Sequence, residues 1–419
     1  MATVFKYAAI NEAPIYQSVI ENKGVKVINR ILLGTYVTIT EENGDFVKVV
    51  TAGPDGWMKK SDLTDNMGLK IFYLDVGQGD GVLIEVGELK ILVDAGPGSN
   101  MSGYLTKWQY TYLIKDNKPI HIDYLFVSHF DTDHYKGFVK IIENPAFTFG
   151  NIYHAGILKF ASTGNTYSSG IGDIVKKDGK NYLTKIFDNL LTVKENIPFN
   201  QDISLFMAAI KKAAEENRVK RVKRLKAGDI PVNKTIEAKP FLIEVLAPFN
   251  EKISNRNTFI YWTDEGKTIN GHSIVLKITF GNRTFLLGGD LNTEAEKYLM
   301  AKYSPANPFE VDVAKACHHG SSDFTEQFMQ LVHPFATVIS SGDNEGFSHP
   351  RADAIGCAGK YARGERPLVY STELARSVNM KNNTILFGMI NLRCNGEEIY
   401  ISQMKEVKSP NDLWDSYSL

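Results

Sequence analysis

Four potential metal ligands fall within the six residues His129-Phe130-Asp131-Thr132-Asp133-His134, and no other stretch limits what the chain can fold into so strongly. They follow the apolar run Tyr124-Leu125-Phe126-Val127, which is short, aromatic and β-branched, the pattern of a buried strand that Ser128 closes. The ligands are therefore expected at a strand end. Extended backbone sends the side chains of His129 and Asp131 to one side, at i and i+2, while a turn into a helix at Thr132 aims Asp133 and His134 elsewhere. That geometry can feed two ions. Imidazole suits zinc and other first-row metals and carboxylate suits harder ions such as manganese, so the mixed set implies two divalent ions, zinc or manganese, before calcium. A polar strand-to-helix turn capped by Asp is the plain alternative, and the density of ligand-type residues argues against it.

This stretch resembles the metallo-β-lactamase superfamily signature His-x-His-x-Asp-His. Asp131 stands where most members have the second His, and the form Ser128-His129-x-Asp131-x-Asp133-His134 is similar to the extramembrane hydrolase domain of the ComEC family of DNA-uptake proteins. Further matching stretches follow in the same order: Leu74-Asp75-Val76-Gly77-Gln78-Gly79-Asp80, Leu92-Val93-Asp94-Ala95-Gly96-Pro97, Ala227-Gly228-Asp229, Leu287-Gly288-Gly289-Asp290, His318-His319-Gly320-Ser321 and His349-Pro350. The resemblance implies an α/β (α+β) chain with an αββα four-layer sandwich and a metal site along one edge. It places His129, Asp131 and a third His, for which His272 is the candidate, on one metal, and Asp133, His134 and His318 on the other, with Asp290 bridging. His318 leaves its strand first and is preferred over His319, which would face substrate or hold a contact behind the ligands; the sequence alone does not choose between them. Asp133, His319 and His349, the last near the mouth, form the catalytic group, and Asp94, with Asp75 and Asp80, is expected behind the ligands to orient them. The glycine turn Gly77 to Asp80 could cradle phosphate or serve packing alone.

The implied reaction is metal-assisted hydrolysis, in which the cations lower the pKa of water, and the expected substrate is a phosphodiester, DNA, RNA or a nucleotide, because paired metals flank the attacking and leaving oxygens. A small-ester hydrolase of phosphocholine-esterase or lactonase type, and a non-enzymatic adaptor, are the alternatives. Net charge is −1, so polymer binding needs a local patch. The dense basic run is Lys211 to Lys226, within a stretch expected to be helical from Gln201, and Arg221, Lys223 and Arg224 are the candidate contacts; a solvated helix face is the plain alternative. Tyr167 to Ile197 is likewise expected to be largely helical.

At 419 residues and 43% hydrophobic content the chain can bury a large core in more than one domain. Residues 1–66 show a hairpin signal, Tyr36 to Thr40 and Phe46 to Val50 around Asn43-Gly44, and with Ala13-Pro14-Ile15-Tyr16, Leu33-Gly34-Thr35 and Gly56-Trp57-Met58 they resemble a bacterial SH3-like β-barrel domain, which would dock a protein or peptide partner or serve structure alone. Residues 67–406 are expected to form the hydrolase domain and 407–419 a polar, disordered tail. The three cysteines are odd in number and widely spaced, the start shows no basic region ahead of a long apolar stretch, and no run of about 18 apolar residues occurs. The expectation is a cytoplasmic protein without a membrane partner, unlike the polytopic DNA-uptake proteins.

Overall fold

The computed structural model describes residues 4–19, 25–164, 166–342, 346–373 and 389–419. The first three residues, part of the N-terminal stretch discussed above, lie outside them. Two sheets face each other. The first runs in the order Val219–Arg224, Phe147–His154, Ile120–Val127, Leu89–Ala95, Gly81–Val86, Leu69–Tyr73, Ile390–Cys394, Ile399–Ser409, Asp412–Ser418. The second runs Val232–Ile236, Lys239–Ala247, Val275–Phe280, Arg283–Leu287, Val313–Lys315, Ala336–Ile339, Leu368–Ser371. Period-two alternation decides which core each side chain enters. Phe126, Ile91, Val93 and Ile84 point between the sheets and meet Phe241, Ile243, Leu276 and Phe285 of the second. Leu125, Val127, Leu92 and Leu83 point the other way and pack on Phe138, Ile141, Phe206 and Ile210 of helices Gly137–Glu143 and Gln201–Glu215. Helices Thr293–Tyr303 and Glu326–Val332 cover the far face of the second sheet through Leu299, Phe328 and Val332. The result is the four-layer αββα arrangement, with mixed α/β content as expected.

Three expectations need correction. The helix starting at Gln201 stops at Glu215, and Val219–Arg224 is a strand, parallel to Phe147–His154 at the sheet edge. Asn217 takes φ 58, a left-handed stop that few residues other than Gly and Asn adopt easily, and Val219 and Val222 then alternate with exposed Lys220, Arg221 and Lys223. Tyr167 to Ile197 holds the hairpin Ile174–Lys177/Lys180–Leu183 and one 3₁₀ turn, Leu190–Thr192, in place of helix. The tail 407–419 is ordered: Asp412–Ser418 pairs with Ile399–Ser409 as the last strand of the first sheet.

The strands between Val4 and Thr64 form a separate seven-stranded antiparallel sheet around Ala8, Ile15, Val37, Val47, Val49 and Met58. The hairpin closes where expected, Asn43 opposite Phe46, with Gly44 at φ 55. This unit meets the C-terminal strand through Trp414 Nε1, which donates to Arg30 O (3.2 Å), and Arg30 Nε, which donates to Asn411 O (3.2 Å). Among the described residues no helix is long and apolar enough to cross a membrane, and all three cysteines are free thiols.

One buried acid makes stability pH-dependent. The Glu296 carboxyl accepts from Thr325 N (2.5 Å) and Thr325 Oγ1 (2.8 Å), and burial pushes its pKa up to about 8. Unfolded Glu titrates near ~4.3, so the folded state holds the extra proton between those values and stability falls as pH rises through that window. Glu296→Gln keeps an acceptor for Thr325 without the charge. Its melting temperature is expected to match wild type near pH 4 and to exceed it at pH 8, by roughly 2–4 kcal/mol of stability; parallel melting curves across pH would show that Glu296 is not the cause.

Candidate metal centre

The motif and the two later ligand groups begin at the carboxyl ends of strands. Val127 ends its strand at Ser128, and His129 to Asp133 run into the short helix Thr132–Tyr135, which carries His134. Asp290 follows Arg283–Leu287, and His318 and His319 follow Val313–Lys315. The glycine turn is fixed by close approach: a Cβ on Gly79 would stand 2.2 Å from Asp133 O, and Asp80 N donates to that same carbonyl at 3.2 Å. Packing against the motif loop explains it, with no need for a phosphate.

Asp80, His134, Asp290 and His319 are buried, with one ligand atom of each within 4.8 Å of the others. His134 Nε2 is 3.2 Å from Asp290 Oδ1 and 3.3 Å from His319 Nε2, which in turn is 3.3 Å from Asp290 Oδ2 and 3.3 Å from Asp133 Oδ2. The hydrogen-bond network fixes the tautomers. His134 Nδ1 donates to Asp94 Oδ2 (2.9 Å) and His319 Nδ1 to Ser340 O (3.0 Å). Ser128 Oγ gives its proton to Asp94 (2.5 Å) and Ser273 Oγ to Asn270 O (2.7 Å), so both hydroxyls accept from His129 Nδ1 at 3.1 and 3.2 Å. Each of the three imidazoles therefore presents its Nε2 lone pair inward. His129 Nε2 and Asp290 Oδ1 are buried without a hydrogen-bond partner. Converging lone pairs and carboxylates need a cation, and this donor set fits a divalent metal.

The charges agree. Burial opposes protonation of His134 and His319, but Asp290 with Asp133 and Asp94 around the first, and Asp290 with Asp80 around the second, hold both well above the usual imidazole value. Burial likewise opposes the Asp290 charge, and His134, His319 and His318 outweigh it and hold the carboxyl well below its ordinary range. Burial lowers His129 to about 4, with His134 adding to the effect. Metal-free, the cluster draws protons; a metal ion must compete with them.

The structure redistributes several expected roles. His319, not His318, enters the cluster. Both residues take left-handed backbone, φ 50 and 54, and His318 stays at the rim, a quarter exposed, with Nε2 3.8 Å from Asp290. His272 is no ligand: its ring is sandwiched between Phe259 and Trp262, both at 4.4 Å, and its Nε2 donates to Ile260 O (2.8 Å). Helix Glu265–Gly271 ends just before it and presents Asn270 to the site two residues earlier. With its amide nitrogen donating to Asp131 Oδ2 (3.1 Å) and Gly266 O (3.2 Å), the other Asn270 amide atom lies 3.4 Å from His318 Nε2. Asp131 lies outside the four-residue cluster and pairs with Lys159 Nζ at 2.5 Å. Asp94 stands behind His134, whereas Asp80 joins the cluster itself and Asp75 accepts from Gly77 N (3.1 Å) to shape its own turn. His349 lies at the mouth, its ring 6.1 Å from His318 and 6.3 Å from His319, with Phe347 stacked on it at 5.6 Å. Arg221 and Lys223 are exposed, but Arg224 is buried, donating to Asp188 (2.7 Å) and Asn250 (2.7 Å), and is not a nucleic-acid contact. Sequence reasoning missed Lys159, Asn270 and Lys315; Lys315 is buried against Asp80.

Residues 74–194 match the family model described as the Metallo-beta-lactamase superfamily, across the glycine turn and the entire ligand motif. The chain carries a metallo-β-lactamase superfamily domain. The match supports a hydrolase of the metallo-β-lactamase fold, and the cluster of Asp80, His134, Asp290 and His319 could hold a divalent metal ion. Part of the chain is 34% identical over 87 residues to ComE operon protein 3 of Bacillus subtilis, 20% of this chain and 11% of that protein. Another match, to Competence protein ComA of Neisseria gonorrhoeae, is 37% identical over 82 residues, 19% of this chain and 12% of that protein. The chain thus spans about a tenth of the length of these relatives. Among solved structures, a metallo-β-lactamase of Cronobacter sakazakii is similar over 58% of this chain and 76% of its own, at 12% identity and a TM-score of 0.29.

Proposed function

We propose that the chain is a metal-dependent phosphodiesterase acting on nucleic acid or a nucleotide. The observation that carries this reading is Asp290, a buried carboxylate with one oxygen toward His134 and the other toward His319, beside the unpartnered Nε2 of His129. Asp133, His134, Asp290 and His319 would hold one divalent ion, and His129 and Asp131, sharing Asp290, the other. Bound there, the ions supply Lewis-acid stabilisation of phosphoryl oxygens and an acidified water. The chain's own residues do the rest. Gln78 Nε2 donates to His349 Nδ1 (3.1 Å), an orientation fixed by Gly342 N on Gln78 Oε1 (3.3 Å), so the His349 proton resides on Nε2, where it can donate a hydrogen bond to a substrate oxygen at the mouth. Asp94 and Ser340 keep His134 and His319 in the ligating tautomer. The partial similarity to competence proteins favours nucleic acid over a small ester. The N-terminal unit, with its own core, is proposed as a partner-docking or structural domain.

Hydrolysis of a small chromogenic phosphodiester, with a phosphomonoester and a lactone alongside, tests the reaction: diester turnover dependent on manganese or zinc is expected, and lactone turnover alone would replace the reading. Polymer binding is tested at the exposed strand edge. Lys220→Gln, Arg221→Gln and Lys223→Gln together are expected to flatten the salt dependence of binding by up to ~0.9 log unit per lost duplex contact and ~0.7 for a single strand, with small-diester turnover retained. An unchanged salt slope would leave this edge a solvated strand.

A further inference from the structure

Asp131 is where the motif departs from the superfamily pattern, and its surroundings show what the departure permits. Lys159 reaches Asp131 Oδ1 with Nζ at 2.5 Å from the loop that follows Phe147–His154. Asn270 can hold the other oxygen at 3.1 Å. A neutral imidazole at this position would offer a single lone pair and no charge to an ammonium; a carboxylate accepts one readily. The two side chains are 34% and 24% exposed, so Lys159, on a flexible four-carbon stem, can swing into solvent without opening a buried hole. On the inner side, the unpartnered His129 Nε2 and Asp290 Oδ1 still call for a cation. An ammonium and a divalent ion on one carboxylate oxygen disfavour each other, since like charges at that range repel strongly.

We infer that Lys159 is a built-in cation that competes with the second divalent ion for Asp131, so that the two ion positions are unequal. The position at Asp133, His134, Asp290 and His319 fills first. The position at His129 and Asp131 fills only as the ion displaces the Lys159 ammonium, and its apparent affinity drops by the fraction of molecules in which Asp131 is free. The inference rests on the metal reading of the centre and is independent of the substrate.

Calorimetric titration of the metal-free full chain with manganese tests it without any turnover. Wild type is expected to bind two ions whose affinities differ by at least about tenfold. Lys159→Met should tighten the weaker one about tenfold and leave the tighter one in place, while Lys159→Arg should preserve the gap and Asp131→Asn should remove the weaker ion in either background. A wild type with two equally tight ions, or a Lys159→Met protein that titrates as wild type or loses an ion, overturns the inference. A wild type that binds no ion overturns the metal reading with it. Circular dichroism checks the fold of each variant, and Lys159→Gln takes the place of Lys159→Met should the latter misfold.

Discussion

Asp290→Ala is expected to release the first divalent ion and to lower diester turnover by about 10²–10⁴, the several kcal/mol that metal stabilisation of a developing charge supplies. Asp290 sets one oxygen 3.2 Å from His134 Nε2 and the other 3.3 Å from His319 Nε2, and its removal leaves two imidazole nitrogens 3.3 Å apart without the carboxylate that makes a cation welcome there. Both imidazoles owe their raised pKa first, against burial, to Asp290. The variant's His134 and His319 should therefore titrate lower than in wild type, visible in the imidazole signals of the metal-free protein. Ion content by elemental analysis and turnover are measured together. Full ion content with lost turnover would make Asp290 a substrate-side residue, and retained turnover would remove it from the centre.

The strand end at Ser128 and the ligands after it were legible because their chemistry is local: a short apolar run followed by side chains of one function. Asp290 and Asp94 were legible for the same reason, each at the end of an apolar strand. What failed depended on backbone direction over one or two residues. His318 and His319 exchange roles because both sit in left-handed conformation, and His272 gives way to Asn270 because a helix ends between them. The basic run was misassigned because its charges mask a change of period at Asn217, the one local signal of a helix stop. Besides its pairing with Ile399–Ser409, the last strand is held by partners far away in sequence: Trp414 by Arg30, and Tyr417 by the Arg366 guanidinium at 4.9 Å. Lys159 and Lys315 have no motif of their own and gain meaning only from the carboxylates that the fold brings to them.

Lys315→Met is expected to destabilise the metal-free protein by about 3–5 kcal/mol, the cost of removing one member of a buried ion pair. The Lys315 side chain is 1% exposed; its Nζ contacts Asp80, lies 3.3 Å from Gly289 O and 4.0 Å from Asp290 Oδ1. Burial opposes its charge, but the Asp80 and Asp290 carboxylates outweigh burial and hold the ammonium above the usual lysine value. Asp80 is depressed in turn: burial opposes its ionisation, and Lys315 and His319 outweigh that. A depressed carboxyl contributes stability that is present above its unfolded pKa and lost as pH falls through the folded one. The gap between wild type and Lys315→Met should therefore be widest near neutral pH and shrink under acid, where Asp80 is protonated in both. At pH 7 a melting temperature lower by roughly 10 °C is expected for a domain of this size. Manganese should restore more stability to the variant than to wild type, because a divalent ion held by His134, Asp290 and His319 beside Asp80 replaces the missing positive charge. The double variant Lys315→Met with Asp80→Asn removes both charges and should recover part of the loss, since a buried pair deleted together leaves no unpaired ion. Equal melting of wild type and Lys315→Met would mean that Asp80 is satisfied by His319 alone, whose Nδ1 lies 3.3 Å from its other oxygen.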